Sequence, residues 1–391
     1  MIFKPLVIFR RARNLLRSGP SAKLGEASPG LLFYTSLAAT RGPLANRTFP
    51  TRAQNMNDKP KTILITGGAG YIGSHVAKQL GKMGHHIIVL DNLSTGFRDA
   101  VLFGQLIVGD TGDRHLLQRL FGQYDIDSVL HFAARTIVPE SVADPLGYYG
   151  NNTCNSRVLL ESCRDAGVRH FIFSSTAAVY GIPDQSPISE TAPTRPINPY
   201  GCSKLMTEWM LRDLSAISNL RHVTLRYFNV AGADPDGRIG QSTPNATLLI
   251  KVACETAVGK RDAVTIFGTD FPTFDGTGVR DYIHVEDLAD AHIRALQYLW
   301  ESGPSVTLNC GYQHGYSVRQ VLDTVREVNG QPFTIIEAER RPGDPPSLIA
   351  ETKQIRDILQ WTPRYDDLRF IVSTSLAWER KLVARKTDMV E

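Results

Sequence analysis

A phenol and an ammonium four residues apart on a helix can act as one acid–base unit, and Tyr200 and Lys204 stand at that spacing. The stretch Pro199-Tyr200-Gly201-Cys202-Ser203-Lys204 opens a segment expected to be helical to about Leu214, which puts both side chains on one face. A phenol with an ordinary pKa near 10 is a poor base at neutral pH. A neighbouring ammonium and a bound cation beside it would both favour the phenolate. Thr176, at the end of the preceding apolar run, offers a hydroxyl to hold a substrate oxygen between itself and Tyr200. Tyr-x-x-x-Lys alone is a weak signal in a chain with 13 tyrosines, but here it occurs once.

Such a pair needs a scaffold and an electron acceptor, and the segments upstream describe both. Thr62-Ile63-Leu64-Ile65-Thr66 reads as a strand buried on both faces. Gly67-Gly68-Ala69-Gly70-Tyr71-Ile72-Gly73 follows, and a helix is expected from about Ser74 to Met83, stopping at Gly84. Glycines at 67, 70 and 73 let the chain turn tightly, let backbone N–H groups approach a pyrophosphate, and let the helix pack close to the sheet. The next strand, His86–Leu90, ends at Asp91-Asn92. An acid there accepts hydrogen bonds from the adenosine ribose and repels a 2′-phosphate, so NAD is expected rather than NADP.

Further βα units follow at Gln105–Val108, Ser128–Phe132 and His170–Phe173, each ending in small or polar residues. In an open parallel sheet those ends carry the ligand loops. Asp110 and Thr111 are expected near the adenine, and Phe132, Ala133 and Ala134 along the cofactor, with Ser174 at the end of the next strand. The fold class is therefore α/β, a Rossmann-type doubly wound parallel sheet with a smaller α/β substrate-binding lobe.

Charge and composition narrow the partners. Of 391 residues, the first 60 hold ten Lys or Arg and two acids, a balance of +8 inside a total of +4. The remainder is thus mildly acidic, which argues against nucleic acid as a partner. The Arg-rich leader has the composition of an organelle transit peptide. It is expected instead to be an unstructured extension or to lie upstream of a true start at Met56. Cys154, Cys163, Cys202, Cys254 and Cys310 are odd in number and lack metal-ligand spacing, so no metal site and a reducing, cytoplasmic setting are expected. No apolar run is long enough to cross a bilayer.

From Lys61 to about Trp378 the chain resembles the extended short-chain dehydrogenase/reductases, and within them the UDP-glucose 4-epimerases. The resemblance is carried by Gly67–His75, Asp91-Asn92-Leu93, Phe171–Gly181, Tyr200–Leu205, Arg226-Tyr227-Phe228-Asn229, the stretch Asp275 to His284, and Arg340-Arg341-Pro342-Gly343-Asp344. It implies that Tyr200 is the base, that Lys204 holds the nicotinamide ribose and lowers the Tyr200 pKa, and that Thr176 binds the sugar hydroxyl. It further implies that Asn151 and Phe228 line the cofactor site. Asn229, Phe267, Arg280, Arg341, Asp344 and Leu348 would hold the UDP-sugar, the two arginines near the diphosphate. A homodimer is implied as well.

The implied domains are an NAD-binding part, 61–231 with parts of 281–314, and a UDP-sugar lobe, 232–277 with 315–385. Two departures stand out: Arg135-Thr136-Ile137 replaces a loop that often carries Lys, and Leu248 falls where an amide or His is usual. A 4,6-dehydratase, the rival within the fold, needs an acid pair after the Thr. Ala177-Ala178 cannot transfer protons.

Overall fold

The computed structural model describes residues 59–387 with the exception of Pro342. Apart from Lys59 and Pro60, the basic leader lies outside the described residues. Seven parallel strands make the central sheet: β1 Thr62–Thr66, β2 His86–Asp91, β3 Gln105–Val108, β4 Ser128–His131, β5 His170–Thr176, β6 Arg221–Tyr227 and β7 Val306–Cys310. Their order is β7-β6-β5-β4-β1-β2-β3. The order reverses between β1 and β4, so the loops leaving those two strands diverge and open a crevice above their carboxyl ends.

Five longer helices cover the sheet: α1 Tyr71–Lys82, α2 Arg114–Gln123, α3 Asn155–Asp165, α4 Pro199–Ile217 and α5 Val285–Trp300. Side chains alternate across each strand. Ile63 and Ile65 of β1 join Val76, Ala77 and Leu80 of α1 and Leu288, Ala291 and Ala295 of α5 on one face. Leu64 joins Leu117 of α2, Leu159 of α3 and Leu211 of α4 on the other. Both faces are covered, which is why the strands read as unbroken apolar runs.

The first core continues beyond the sheet. Helices Leu249–Ala257, Val318–Asn329 and Leu368–Thr387 pack on one another, and their Ile250, Ala253, Val321, Val325, Ile371 and Leu376 belong to the same apolar cluster as β1 and α1. A parallel pair, Val264–Phe267 with Ile335–Ala338, completes this region. Short strands Asn229–Ala231 and Tyr282–His284 pair beneath it.

β2 and β4 end one residue from the expected positions, and larger differences arise at α1, β5 and α4. α1 begins at Tyr71, not Ser74, because Gly70 is its extended N-cap; Gly73 therefore lies inside the first turn. β5 runs on through Ser174, Ser175 and Thr176, since β6 keeps pairing with it to the Thr176–Tyr227 level. α4 continues to Ile217, one turn beyond the expected end.

A buried polar cluster joins α1 to α5 and to the loop after the strand Asn229–Ala231. Lys78 Nζ donates to Asp234 at 2.8 Å and to Glu286 at 2.5 Å. Gln79 donates to Glu286 at 2.7 Å, and His75 also bonds its carboxylate. Burial alone would raise Glu286, but the His75 and Lys78 hydrogen bonds overcome it and hold the group at about 2. A carboxylate held below its ordinary value stabilises the fold above that value and loses the contribution as the pH falls through the folded pKa. Glu286→Gln, which leaves buried Lys78 with Asp234 as its one carboxylate partner, is expected to lower the unfolding free energy by about 2 kcal/mol at neutral pH. Denaturant melts at falling pH check the sign: the gap between wild type and variant should shrink below about pH 4.

Candidate active site

The glycine loop is as tight as its spacing implied. Gly67 has φ +72°, and a Cβ there would stand 2.5 Å from the Ala133 nitrogen; one on Gly73 would stand 2.3 Å from the Gly67 carbonyl oxygen. β1, the loop after β4 and the first turn of α1 thus meet at backbone contact. No side chain caps α1, so its first N–H groups face the crevice free for an anion. Tyr71 donates its hydroxyl to the Gly232 carbonyl at 2.6 Å, and Ile72 packs against the main core. Tyr71 therefore ties the glycine helix to the second region.

Asp91 ends β2 and is 7% exposed. Its carboxylate accepts from Ala69 N at 3.0 Å and Leu93 N at 2.8 Å, so it braces the glycine loop from the neighbouring strand. Burial raises its pKa, and these two bonds oppose the rise. Asp110 gathers Asn92 at 3.0 Å, Asn155 at 2.8 Å and Gly112 N at 2.7 Å. Thr111 beside it is buried. Phe132 N and Ala133 N both donate to the Thr66 carbonyl, at 2.9 and 3.1 Å, which draws the loop after β4 over the end of β1. These residues form a backbone-lined cradle with an acid at its far side, and a dinucleotide has the shape and charge to fit it.

The candidate acid–base group lies at the carboxyl end of β5. Asn198 caps α4 by accepting from Gly201 N at 2.9 Å, and Pro199 takes the first helical position. Tyr200 therefore sits in a fixed first turn. Burial pushes its phenol up to about 12, and Thr176 beside it pulls the other way. Thr176 also accepts from Ala178 N at 3.2 Å. Lys204, 4% exposed, donates to the Ser174 carbonyl at 2.9 Å and lies 5.1 Å from the Phe173 ring centre.

Burial drives the Lys204 ammonium down to about 7, with Glu208 resisting. In the protein alone burial outweighs any lowering of Tyr200; the Lys204 ammonium is itself buried, with one of its N–H groups on the Ser174 carbonyl. The Ser174 hydroxyl is bonded to Tyr227, so it faces across the sheet.

Asn151 lies in a π-helical turn, Tyr149–Cys154, and donates to Asn152 at 2.9 Å. Phe228 is buried against Tyr180 and Leu205. Asn229 is fixed through its backbone N–H to the Asp281 carbonyl at 3.0 Å. In the second region Arg280 and Leu348 are register partners in short parallel strands, and Arg280 lies 3.6 Å from Asp344. Arg341 stacks its guanidinium 3.8 Å over the Phe267 ring. Arg280, Phe267, Arg341, Asp344 and Leu348 thus form one basic and aromatic group drawn from three segments of the chain. Of the two departures, Thr136 is exposed, and Leu248 caps the helix Leu249–Ala257 without a side-chain bond.

Sequence reasoning passed over Asn152. It is buried, accepts from Arg135 N at 2.9 Å, and donates to Arg135 O and the Ser203 hydroxyl, both at 3.0 Å. It therefore clamps the loop after β4 to the helix of Tyr200. Nothing in a lone Asn beside Asn151 signals this. Glu208 was also missed, although a four-residue stripe through 200, 204 and 208 was legible.

With this geometry in place, the comparisons with known proteins have a clear meaning. Residues 63–311 match the NAD dependent epimerase/dehydratase family. A UDP-glucose 4-epimerase of Azospirillum brasilense is 55% identical over 321 residues, 82% of this chain and 92% of that protein. The structure of UDP-glucose 4-epimerase from Brucella ovis in complex with NAD superposes with TM-score 0.79 at 42% identity, covering 81% of this chain and 97% of that one. The enzyme from Bifidobacterium longum, solved with NAD+ and UDP, gives 0.78 at 37% identity over 82% and 98%. The chain belongs to the NAD dependent epimerase/dehydratase family.

Proposed function

We propose that the chain interconverts UDP-glucose and UDP-galactose by inverting C4 through a transient 4-keto sugar, with NAD held as a resident cofactor. The observation that carries this reading is the placing of the Tyr200 phenol beside Thr176 at the end of β5, with Lys204 anchored one turn away. Ala177 and Ala178 follow Thr176 in a short turn and offer no acid for a dehydratase elimination.

The glycine loop and the α1 N-terminus would hold the pyrophosphate of NAD, Asp91 a ribose, Asn92, Asp110 and Thr111 the adenine side, and Phe132–Ala134, Asn151, Ser174, Lys204 and Phe228 the nicotinamide side. When bound, NAD supplies an acceptor that takes a hydride from C4 and gives it back, so no external reductant is consumed. Tyr200 as phenolate removes the O4 proton while Thr176 holds O4, and Tyr200 later returns that proton. Between the two, the ketone must turn its other face inward. Arg280 and Arg341 keep the diphosphate fixed through paired hydrogen bonds, while Asn229, Phe267, Asp344 and Leu348 bound the space in which the hexose rotates.

The NAD-binding part comprises 61–231 with parts of 281–314, and the UDP-sugar lobe 232–277 with 315–385. The enzyme works in the cytoplasm as a homodimer; Trp209 and Ile217, exposed on α4, supply apolar surface for the second copy.

The test incubates purified protein with UDP-galactose and no added cofactor, resolving products by chromatography beside a Tyr200→Phe control. UDP-glucose is expected from the wild type, with turnover at least about 100-fold lower in the variant. Since the phenolate is the working form, wild-type turnover should fall as the pH drops. Product formed equally by Tyr200→Phe overturns the assignment of the base. Gly73→Ala, whose methyl meets the Gly67 carbonyl, is expected to yield protein without bound dinucleotide, read from its ultraviolet absorbance after denaturation.

A further inference from the structure

Tyr200 and Lys204 are followed one turn later by Glu208, at the same four-residue step along α4; Lys204 and Glu208 are buried and Tyr200 half-buried. All three side chains engage the last residues of β5. Tyr200 lies beside Thr176, Lys204 donates to the Ser174 carbonyl, and Glu208 accepts from the Ser175 hydroxyl. Helix and strand are thus joined by a polar seam with the proton-transfer group at one end and Glu208 at the other.

Glu208 is itself held rigidly. Arg226 stands opposite Ser175 in the β5–β6 ladder and reaches the carboxylate with both faces of its fork, Nε to Oε1 at 3.1 Å and Nη2 to Oε2 at 2.5 Å. Its Nη1 donates to the Tyr180 hydroxyl at 3.0 Å, and Tyr180 donates in turn to Asn309 at 2.7 Å. Two apolar side chains would fill the same seam without the desolvation cost of burying two charges. What the ion pair adds is direction, because a bidentate Arg–carboxylate contact tolerates little sliding.

We infer that Glu208 is a positioning residue for the reaction proposed above, setting the height of the Tyr200–Lys204 stripe against β5 through its clamp by Arg226 and Ser175. The inference rests on the epimerase reading. The carboxylate has a second effect, since it opposes the burial that drives Lys204 toward neutrality and so keeps the ammonium charged. Both effects bear on proton transfer at the sugar hydroxyl and leave the UDP contacts alone.

Two variants test this in the NAD-loaded enzyme: Glu208→Gln, and the double variant Glu208→Leu with Arg226→Met, in which no charge is stranded. Turnover of UDP-galactose is followed across pH. In both variants KM should stay within about twofold while kcat falls at least about tenfold. The alkaline fall of kcat should also move to lower pH, because Lys204 sheds its proton sooner. A double variant with wild-type kcat and an unmoved pH profile overturns the inference. So does loss of bound NAD in both variants, which would assign the pair to the fold alone. Absence of wild-type turnover above Tyr200→Phe instead fails the epimerase reading, and this inference with it.

Discussion

Everything at this site depends on burying a phenol and an ammonium together against the end of one strand. Both groups lose water, and burial moves each away from its charged form: Tyr200 up to about 12 and Lys204 down to about 7. Neither shift would serve proton transfer alone. Side by side, with a hydroxyl on one and a carbonyl on the other, they form a pair whose ionisation responds to any further charge brought near. Under the proposed function a cationic nicotinamide would be such a charge, and its neutral form would not. The desolvation that looks unfavourable for a base would then make it sensitive to the redox state of its surroundings.

The sheet supplies the rigidity this sensitivity needs. Thr176 is a strand residue paired to Tyr227, not a loop residue, so the hydroxyl that partners Tyr200 is set by the β5–β6 ladder. Asn198 and Pro199 fix where α4 starts. On the cofactor side Gly67 and Gly73 bring three backbone segments into contact, which fixes α1, and Asp91 braces the loop from β2. The substrate side is joined to the same core through α5 and the Glu286 cluster rather than through a flexible hinge.

Much of this was legible from residue types in order. A β-branched run, glycines at three-residue steps and an acid at the end of the next strand specify a doubly wound sheet, because each has one physical use in that context. The Tyr200–Lys204 spacing implied the shared helix that α4 provides for the same reason. What could not be read were contacts between segments distant in sequence. Asn152 bonding Arg135 and Ser203, and Asp281 gathering Tyr312, Gln313 and Ala350 through backbone N–H groups, depend on where chains cross. The electrostatics also resisted reading, because burial, which raises Tyr200 and lowers Lys204, depends on how α4 packs on β5. The grouping of Arg280, Arg341 and Asp344 came from resemblance, since a surface arginine alone carries no signal.

The most direct measurement follows the hydrogen at C4. UDP-galactose carrying deuterium at C4 is converted in ordinary water, and the UDP-glucose formed is analysed by mass spectrometry. Full retention of the label is expected, because the hydrogen leaves and returns as hydride inside a closed site while only the O4 proton passes through Tyr200. Loss of the label to solvent would mean that C4 is inverted by proton abstraction from carbon, and would contradict the ketone mechanism outright.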